Sequence, residues 1–236
     1  FFSNLREMIY SAKYDLTIPF EFKKAEKFKF DLSVGGLNQR RDRDFWARNI
    51  GYDKYKIGTS TRFNNNLLYL DENQIFTAPY IGLMADSAAP YKGGFAVKET
   101  TRENDSYKAH AYLNAGYGML DLKFGKMFWL IGGARYENYT QYLETTSNDQ
   151  PLISDTTVND ILPSANLIFT LNNEKRGSTF AVRAAYYRTV SRPEFRELAN
   201  FLFYDFITDF ELYGDPKLQR ALIDNYDFRI EYFPKA

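Results

Sequence analysis

Cysteine is absent from this 236-residue chain, which excludes disulfides, thiolate metal centres and cysteine nucleophiles. Equally missing is any unbroken apolar run of the ~18 residues that a membrane-spanning helix needs. Net charge is lacking too: 30 basic and 30 acidic residues balance, so neither a basic field for nucleic acid nor an acidic solvating tail is present. Histidine occurs once, at His110. No Gly-rich phosphate loop, nucleophile elbow or paired metal ligands occur, so the expectation is a non-enzyme without a cofactor or metal. The chain opens at Phe1 with no charged-then-apolar leader, as expected of a processed protein or a piece of a longer one.

What the chain has in excess is aromatic side chains: 18% of residues, with 21 Phe and 19 Tyr, against an ordinary 44% hydrophobic content and a mean hydropathy of -0.47. They fall in segments that alternate with period two, the signature of strands with two unlike faces. The stretch 107–142 is the clearest. Its first arm sets Tyr107, Ala109, Ala111, Leu113, Ala115, Tyr117 and Met119 against Lys108, His110, Tyr112, Asn114, Gly116 and Gly118. The second sets Phe128, Leu130, Gly132, Ala134 and Tyr136 against Gly133, Arg135, Glu137 and Tyr139, after a polar turn near 123–126. Each arm exceeds a typical strand of ~5–6 residues and reaches the roughly 9–11 that cross a bilayer obliquely. On this reading the first-named set of each arm meets lipid and the second meets the lumen. Leu113→Arg should then be costly and Asn114→Arg mild.

The same design recurs. Tyr10 to Phe20 and Phe28 to Gly36 alternate around a charged turn at 21–27; Ile161 to Leu171 and Phe180 to Tyr186 flank a turn at 172–178; Tyr226 to Tyr232 is a last arm. About seven spanning arms result. Short turns follow Phe20, Leu122 and Leu171, whereas long connections follow Gly36, Tyr142 and Val190, so short and long links sort to opposite sides. Outer-membrane barrels have that asymmetry, and rings at both ends of the spans suit their two interfacial girdles. The fold class expected is all-β: an antiparallel transmembrane β-barrel, incomplete, because open sheet edges are not viable in hydrocarbon. The whole of 1–236 reads as one partial barrel domain with long extracellular loops near 38–105, 143–157 and 191–221. Alternation fades between 44 and 105, where short strands or a helix, for instance around 76–84, could lie, and 192–206 could hold one short helix.

Several stretches resemble TonB-dependent outer-membrane receptors. These are Gly132-Gly133-Ala134-Arg135-Tyr136-Glu137, the run Tyr187-Arg188-Thr189-Val190-Ser191-Arg192-Pro193-Glu194-Phe195-Arg196-Glu197-Leu198, Leu162-Pro163-Ser164-Ala165-Asn166-Leu167, and Gly214-Asp215-Pro216-Lys217-Leu218 with Asp224-Asn225-Tyr226-Asp227. The resemblance covers most of the chain from about Tyr10 and is weakest over 46–105. It implies a 22-strand barrel closed by an N-terminal plug, and import of a scarce ligand such as a metal chelate, vitamin or oligosaccharide. The expected partners are outer-membrane lipid, a TonB-type energy-coupling protein acting through an N-terminal region, and a surface lipoprotein that captures ligand. No plug domain or coupling box is visible in these residues.

Candidate ligand-binding residues fall in two groups. Arg135, Glu137, Arg183, Asp227, Arg229 and Glu231 share the polar faces of their strands, where cross-strand ion pairing competes with a role in ligand passage. Tyr204, Asp205, Asp209, Glu211 and Tyr213, with Asp215 nearby, gather in the last long loop; carboxylates and rings suit a cation or a sugar, though the spacing of a calcium loop is lacking. His110 reads as a hydrated lumen residue, and Arg192-Pro193 as the point where a strand gives way to a loop. Two readings compete with an importer. One is a passive channel or adhesin on the same barrel, which a full-length sequence without a plug would reveal. The other is a soluble carbohydrate-binding β-sandwich, which would purify without detergent.

Overall fold

A computed structural model describes residues 2–21, 28–55, 61–84, 91–147, 150–173, 178–205, 207 and 210–234. In chain order the strands begin with β1 (Phe2–Glu21), β2 (Phe28–Arg48), β3 (Ile50–Lys54) and β4 (Thr61–Phe63). Helix α1 (Glu72–Ile75), β5 (Tyr91–Gly93), β6 (Phe95–Glu99), β7 (Ser106–Phe124), β8 (Phe128–Ser147) and β9 (Gln150–Asn173) follow. The chain continues through β10 (Ser178–Ser191), α2 (Phe195–Leu198), β11 (Leu202–Asp205), β12 (Phe210–Tyr213) and β13 (Ala221–Phe233). Seven of these make one sheet in the order β1-β2-β7-β8-β9-β10-β13. β7, β8, β9, β10 and β13 pair antiparallel.

The chain divides into two compact units. The larger holds Arg6–Asp44 and Tyr107–Ala236, and so most of the sheet. The smaller is built mainly on Phe45–Ser106. It is not a featureless loop: β3 pairs antiparallel with β6, β4 pairs parallel with β5, and α1 is capped by the Asp71 carboxylate accepting from Asn73 N at 2.9 Å. The Phe76 ring packs on Tyr52 (4.3 Å) and Phe95 (5.6 Å), giving this unit its own apolar centre. At its base, Asp105 is buried and accepts from Asn49 Nδ2 at 2.9 Å and Arg102 N at 2.7 Å. The exposed Arg48–Glu99 pair is doubly bonded at 2.9 Å; hydrogen bonds from Arg48 and Thr101 hold the Glu99 carboxyl at about 2.

Two connections differ from the sequence expectation. The polar stretch 143–157 is strand rather than loop, since β8 runs to Ser147 and β9 begins at Gln150, with their ladder closing at Ser147–Gln150. Threonine suits a half-buried pleated surface, and on one face of this stretch Leu143, Thr145 and Ser154 are buried. Within 191–221 the short helix expected in 192–206 is α2, and what the sequence did not indicate is the β11–β12 hairpin. The tight β7–β8 turn depends on Gly125, whose φ of 61° lies in the left-handed region that other residues enter at a cost of roughly 1–2 kcal/mol.

Register corrects the facing of β7. Directly opposed residues of an antiparallel pair share a face, and Ala111 opposes Gln141, Leu113 opposes Tyr139, Ala115 opposes Glu137, and Tyr117 opposes Arg135. Tyr107, Ala109, Ala111, Leu113, Ala115, Tyr117 and Met119 therefore lie with the polar set of β8. His110, Tyr112 and Asn114 lie with its apolar set. Side-chain contacts agree: Phe124 packs on Phe28 at 4.8 Å, His110 stacks on Tyr142 at 4.8 Å, and Tyr117 Oη donates to Asp15 Oδ1 at 2.6 Å. His110 is consequently not a lumen residue of the expected kind. Facing on the other strands agrees with their alternation.

The sheet's two faces are thus sharply unlike. One is covered at one end by the segment between β10 and β13. The other is bare and carries Tyr14, Leu16, Phe20, Phe128, Tyr136, Ile161, Leu167, Tyr226, Phe228 and Ile230, all exposed.

Candidate functional site

The candidate site lies where the segment after β10 meets β8 and β9. On these strands Arg135, Glu137, Tyr139 and Gln141 alternate onto the covered face, and Asp160 arrives beside Glu137 because the two are directly paired. Arg192, one residue past β10, inserts its guanidinium between the carboxylates: Nη2 lies 2.7 Å from Glu137 Oε2 and 3.0 Å from Asp160 Oδ2. Its plane sits 4.5 Å above the Tyr139 ring. Arg135 Nε binds the other Glu137 oxygen at 2.5 Å, and Arg220, one residue before β13, binds the other Asp160 oxygen at 2.6 Å. The carboxylate side chains are 8% and 0% exposed respectively. A pair this deep is worth little over an apolar replacement, but removing one partner strands a charge at a cost of about 3–5 kcal/mol.

Both ends of the segment therefore converge on one carboxylate. Gln141 Nε2 donates to Pro193 O at 2.9 Å and Ser154 Oγ to Pro216 O at 3.1 Å, extending the seam along β8 and β9. A second anchor reaches β1 and β2. Arg41 binds Glu7 at 2.9 Å and Glu194 at 3.0 Å, and the Arg41 and Arg43 guanidiniums lie 5.0 and 5.2 Å from the buried Phe195 ring. Partial burial pushes the Glu7 carboxyl upward, but hydrogen bonds from Arg43 and Arg41 outweigh it and hold it below the usual range. Within the segment, Leu198, Ala199 and Phe201 are also buried. Gly214 passes so close to the Ala199 carbonyl that a Cβ would collide with it. Between the segment's ends and the sheet lies a cavity of about 340 Å³, walled by Tyr139, Gln141, Arg192, Lys217 and Arg220 with apolar Val158, Leu198 and Leu218.

Of the residues singled out from sequence, Arg135 and Glu137 join this network. Arg183, Arg229 and Glu231 form a separate group on the same face, its arginines exposed and Glu231 half-buried. There Arg183 Nε lies 3.1 Å from Glu231 Oε2, an ion-pair distance without hydrogen-bond alignment, and Arg229 Nη1 lies 3.6 Å from Oε1. Asp227 opposes Ala185 on that face, two residues along β13 from Arg229. In the loop, Tyr213 is exposed and opposes Leu202 in the β11–β12 hairpin. Tyr204, Asp205 and Glu211 contribute backbone to that hairpin, while their side chains, and all of Asp209, lie outside the described residues. Asp160, Arg192, Arg220 and Lys217 were missed. Asp160 does alternate onto a polar face, but nothing in the sequence says that two arginines 28 positions apart will meet on it.

The bare face shows two boundaries. Ring pairs Phe20–Phe30, Phe28–Phe124 and Phe128–Phe169, with centroids 4.6, 4.8 and 4.7 Å apart, line one edge. Toward the other, Asn38 donates to Asn114, and Tyr136 and Asn138 both donate to Asn159, each at 2.8 Å. Phe128 to Tyr136 spans about nine residues, the length an oblique transmembrane strand needs.

Residues 91–236 match the family model described as the outer membrane protein beta-barrel family. The chain belongs to that family. It is a partial antiparallel β-barrel of the bacterial outer membrane. Its bare face meets hydrocarbon, since the covered face holds ions and a folded segment that hydrocarbon could not solvate. Among solved structures it is similar to the ferric-catecholate import receptor Fiu of E. coli K12 in its closed form. That likeness has 12% identity and a TM-score of 0.41, covering 97% of this chain and 36% of the receptor. The chain thus spans little more than a third of that receptor's length. No curated protein sequence matches it.

Proposed function

We propose that this chain is part of an active outer-membrane importer, in which the segment between β10 and β13 receives solute on the lumen side of the wall. The observation that carries this reading is the folded segment itself. It is pinned onto the covered face by buried ion pairs at both ends and leaves a polar cavity, instead of standing free in the external medium as a purely adhesive loop would. The sequence resemblance to TonB-dependent receptors adds the energy source: a periplasmic coupling protein acting on a plug, with a surface lipoprotein as a capturing partner. The imported class is a scarce solute such as a metal chelate, vitamin or oligosaccharide.

Planar bilayer recordings on the full-length protein test this against a passive channel. An importer should show no steady conductance until a denaturant displaces its plug. Ohmic conductance in the untreated protein would favour the channel.

A further inference from the structure

We propose that the cavity between Arg192, Lys217, Arg220 and the β8–β9 wall is a subsite for an anionic group, a carboxylate or a phosphate, on the solute the barrel handles. This rests on the importer reading for the solute's fate, but not for its binding. The charges are unequal. Three cations, Arg192, Lys217 and Arg220, line the cavity, whereas Glu137 and Asp160, the carboxylates that hold Arg192 and Arg220, do not. Both carboxylates sit behind the guanidiniums, 8% and 0% exposed. An entering ligand therefore meets only positive and neutral walls.

Donors remain available for it. Asp160 engages Arg220 through Nε alone, leaving the outward guanidinium nitrogens without a partner among the described residues, and the Arg220 side chain is 30% exposed. The Lys217 ammonium likewise has no partner among the described residues, and its backbone is fixed by Lys217 N donating to Asp215 Oδ1 at 2.9 Å. A guanidinium held rigid by a buried carboxylate keeps its fork in place before the ligand arrives, which lowers the entropy lost on binding. The apolar rim of Val158, Leu198 and Leu218 lowers the local dielectric and strengthens the charge-assisted bonds. A volume of about 340 Å³ suits one small anionic group with the part of a solute that bears it.

The test is calorimetric titration of the full-length protein in detergent micelles with inorganic phosphate, with succinate, and with glucose as a neutral control. Phosphate or succinate should bind, weakening as salt rises, and glucose should not. The anion that binds identifies the group. Lys217→Gln, an exposed change that leaves the buried ions untouched, should weaken binding by about tenfold, the loss of one charge-assisted hydrogen bond. Arg220→Lys, which keeps a cation on Asp160 but loses the outward fork, should weaken it as well. Absence of anion binding at millimolar concentration, or equal binding by wild type and Lys217→Gln, would overturn the proposal. Because the titration needs neither plug movement nor energy coupling, a failed importer reading would leave its result unchanged.

Discussion

The two faces of the sheet carry ion pairs and aromatic rings alike, yet they use them oppositely. On the covered face, Glu137 and Asp160 are buried beneath three arginines, and ring and guanidinium stack where Arg192 lies over Tyr139. On the bare face, rings are exposed, with Tyr226 at 79% and Phe228 at 69%, and the main ion pair, Arg188–Asp224, sits in the open at 2.8 Å. Identical chemistry therefore means different things on the two sides. Inside, charge fixes the position of a segment; outside, it marks where hydrocarbon ends.

The sharpest way to break this contrast is Asp160→Ala. It leaves Arg220 without its buried partner and Arg192 half satisfied, so urea unfolding of the full-length barrel in lipid vesicles should show a loss of about 3–5 kcal/mol. A change below about 1 kcal/mol would mean that water reaches the cluster freely and that it pins nothing. Next in size is Leu167→Arg on the bare face, inside the apolar band, where a charge facing lipid should cost roughly 2–4 kcal/mol near the midplane and less toward either edge. Leu113→Arg, placed on the covered face by register, should be milder in the same titration. Asn114→Arg, at the polar boundary of the bare face, should also stay near the 0–1 kcal/mol of an interfacial position. Equal penalties at Leu167 and Leu113 would erase the distinction between the faces.

Most of the sheet was legible in the sequence because strands that separate hydrocarbon from water must alternate. β1, β2, β9, β10 and β13 face as their patterns indicate. β7 does not, for a physical reason. Its covered side is filled with Ala109, Ala111 and Ala115, which are buried or half-buried where protein lies over them, so smallness there reflects packing space and not lipid. Its bare side carries Tyr112 and Asn114 at the water boundary and Gly116 and Gly118 within the band, which read as polar or blank. Hydropathy cannot rank two such faces; only the partner strand can. The cluster on Asp160 was hidden likewise, because its arginines come from the two ends of a segment whose closure is a tertiary fact. Arg192 read as a strand end, and it is one. Its guanidinium simply has a second task.

The smallest effects separate exposed pairs from buried ones. Arg188→Ala should leave barrel stability within error and show no dependence on salt beyond that of wild type, since Asp224 returns to water. The Arg48–Glu99 pair gives a matching pH test. A carboxyl held at about 2 when folded and near 4.5 when free contributes above 4.5, loses that contribution as pH falls toward 2, and adds nothing further below. Carboxyl-carbon NMR of Glu99 should therefore titrate close to 2, and Arg48→Ala should return the midpoint toward 4.5. An unchanged midpoint would show that Thr101, not Arg48, holds the proton off.

Because entry and exit of the 192–220 excursion are tied to the same side chain, the excursion is a cassette with a locked base. Epitopes or reporter peptides spliced around Ile207, whose side chain is 94% exposed, should be tolerated without loosening the strands that carry them. That makes this excursion a natural place to graft new recognition onto the barrel while the staves beneath stay in register.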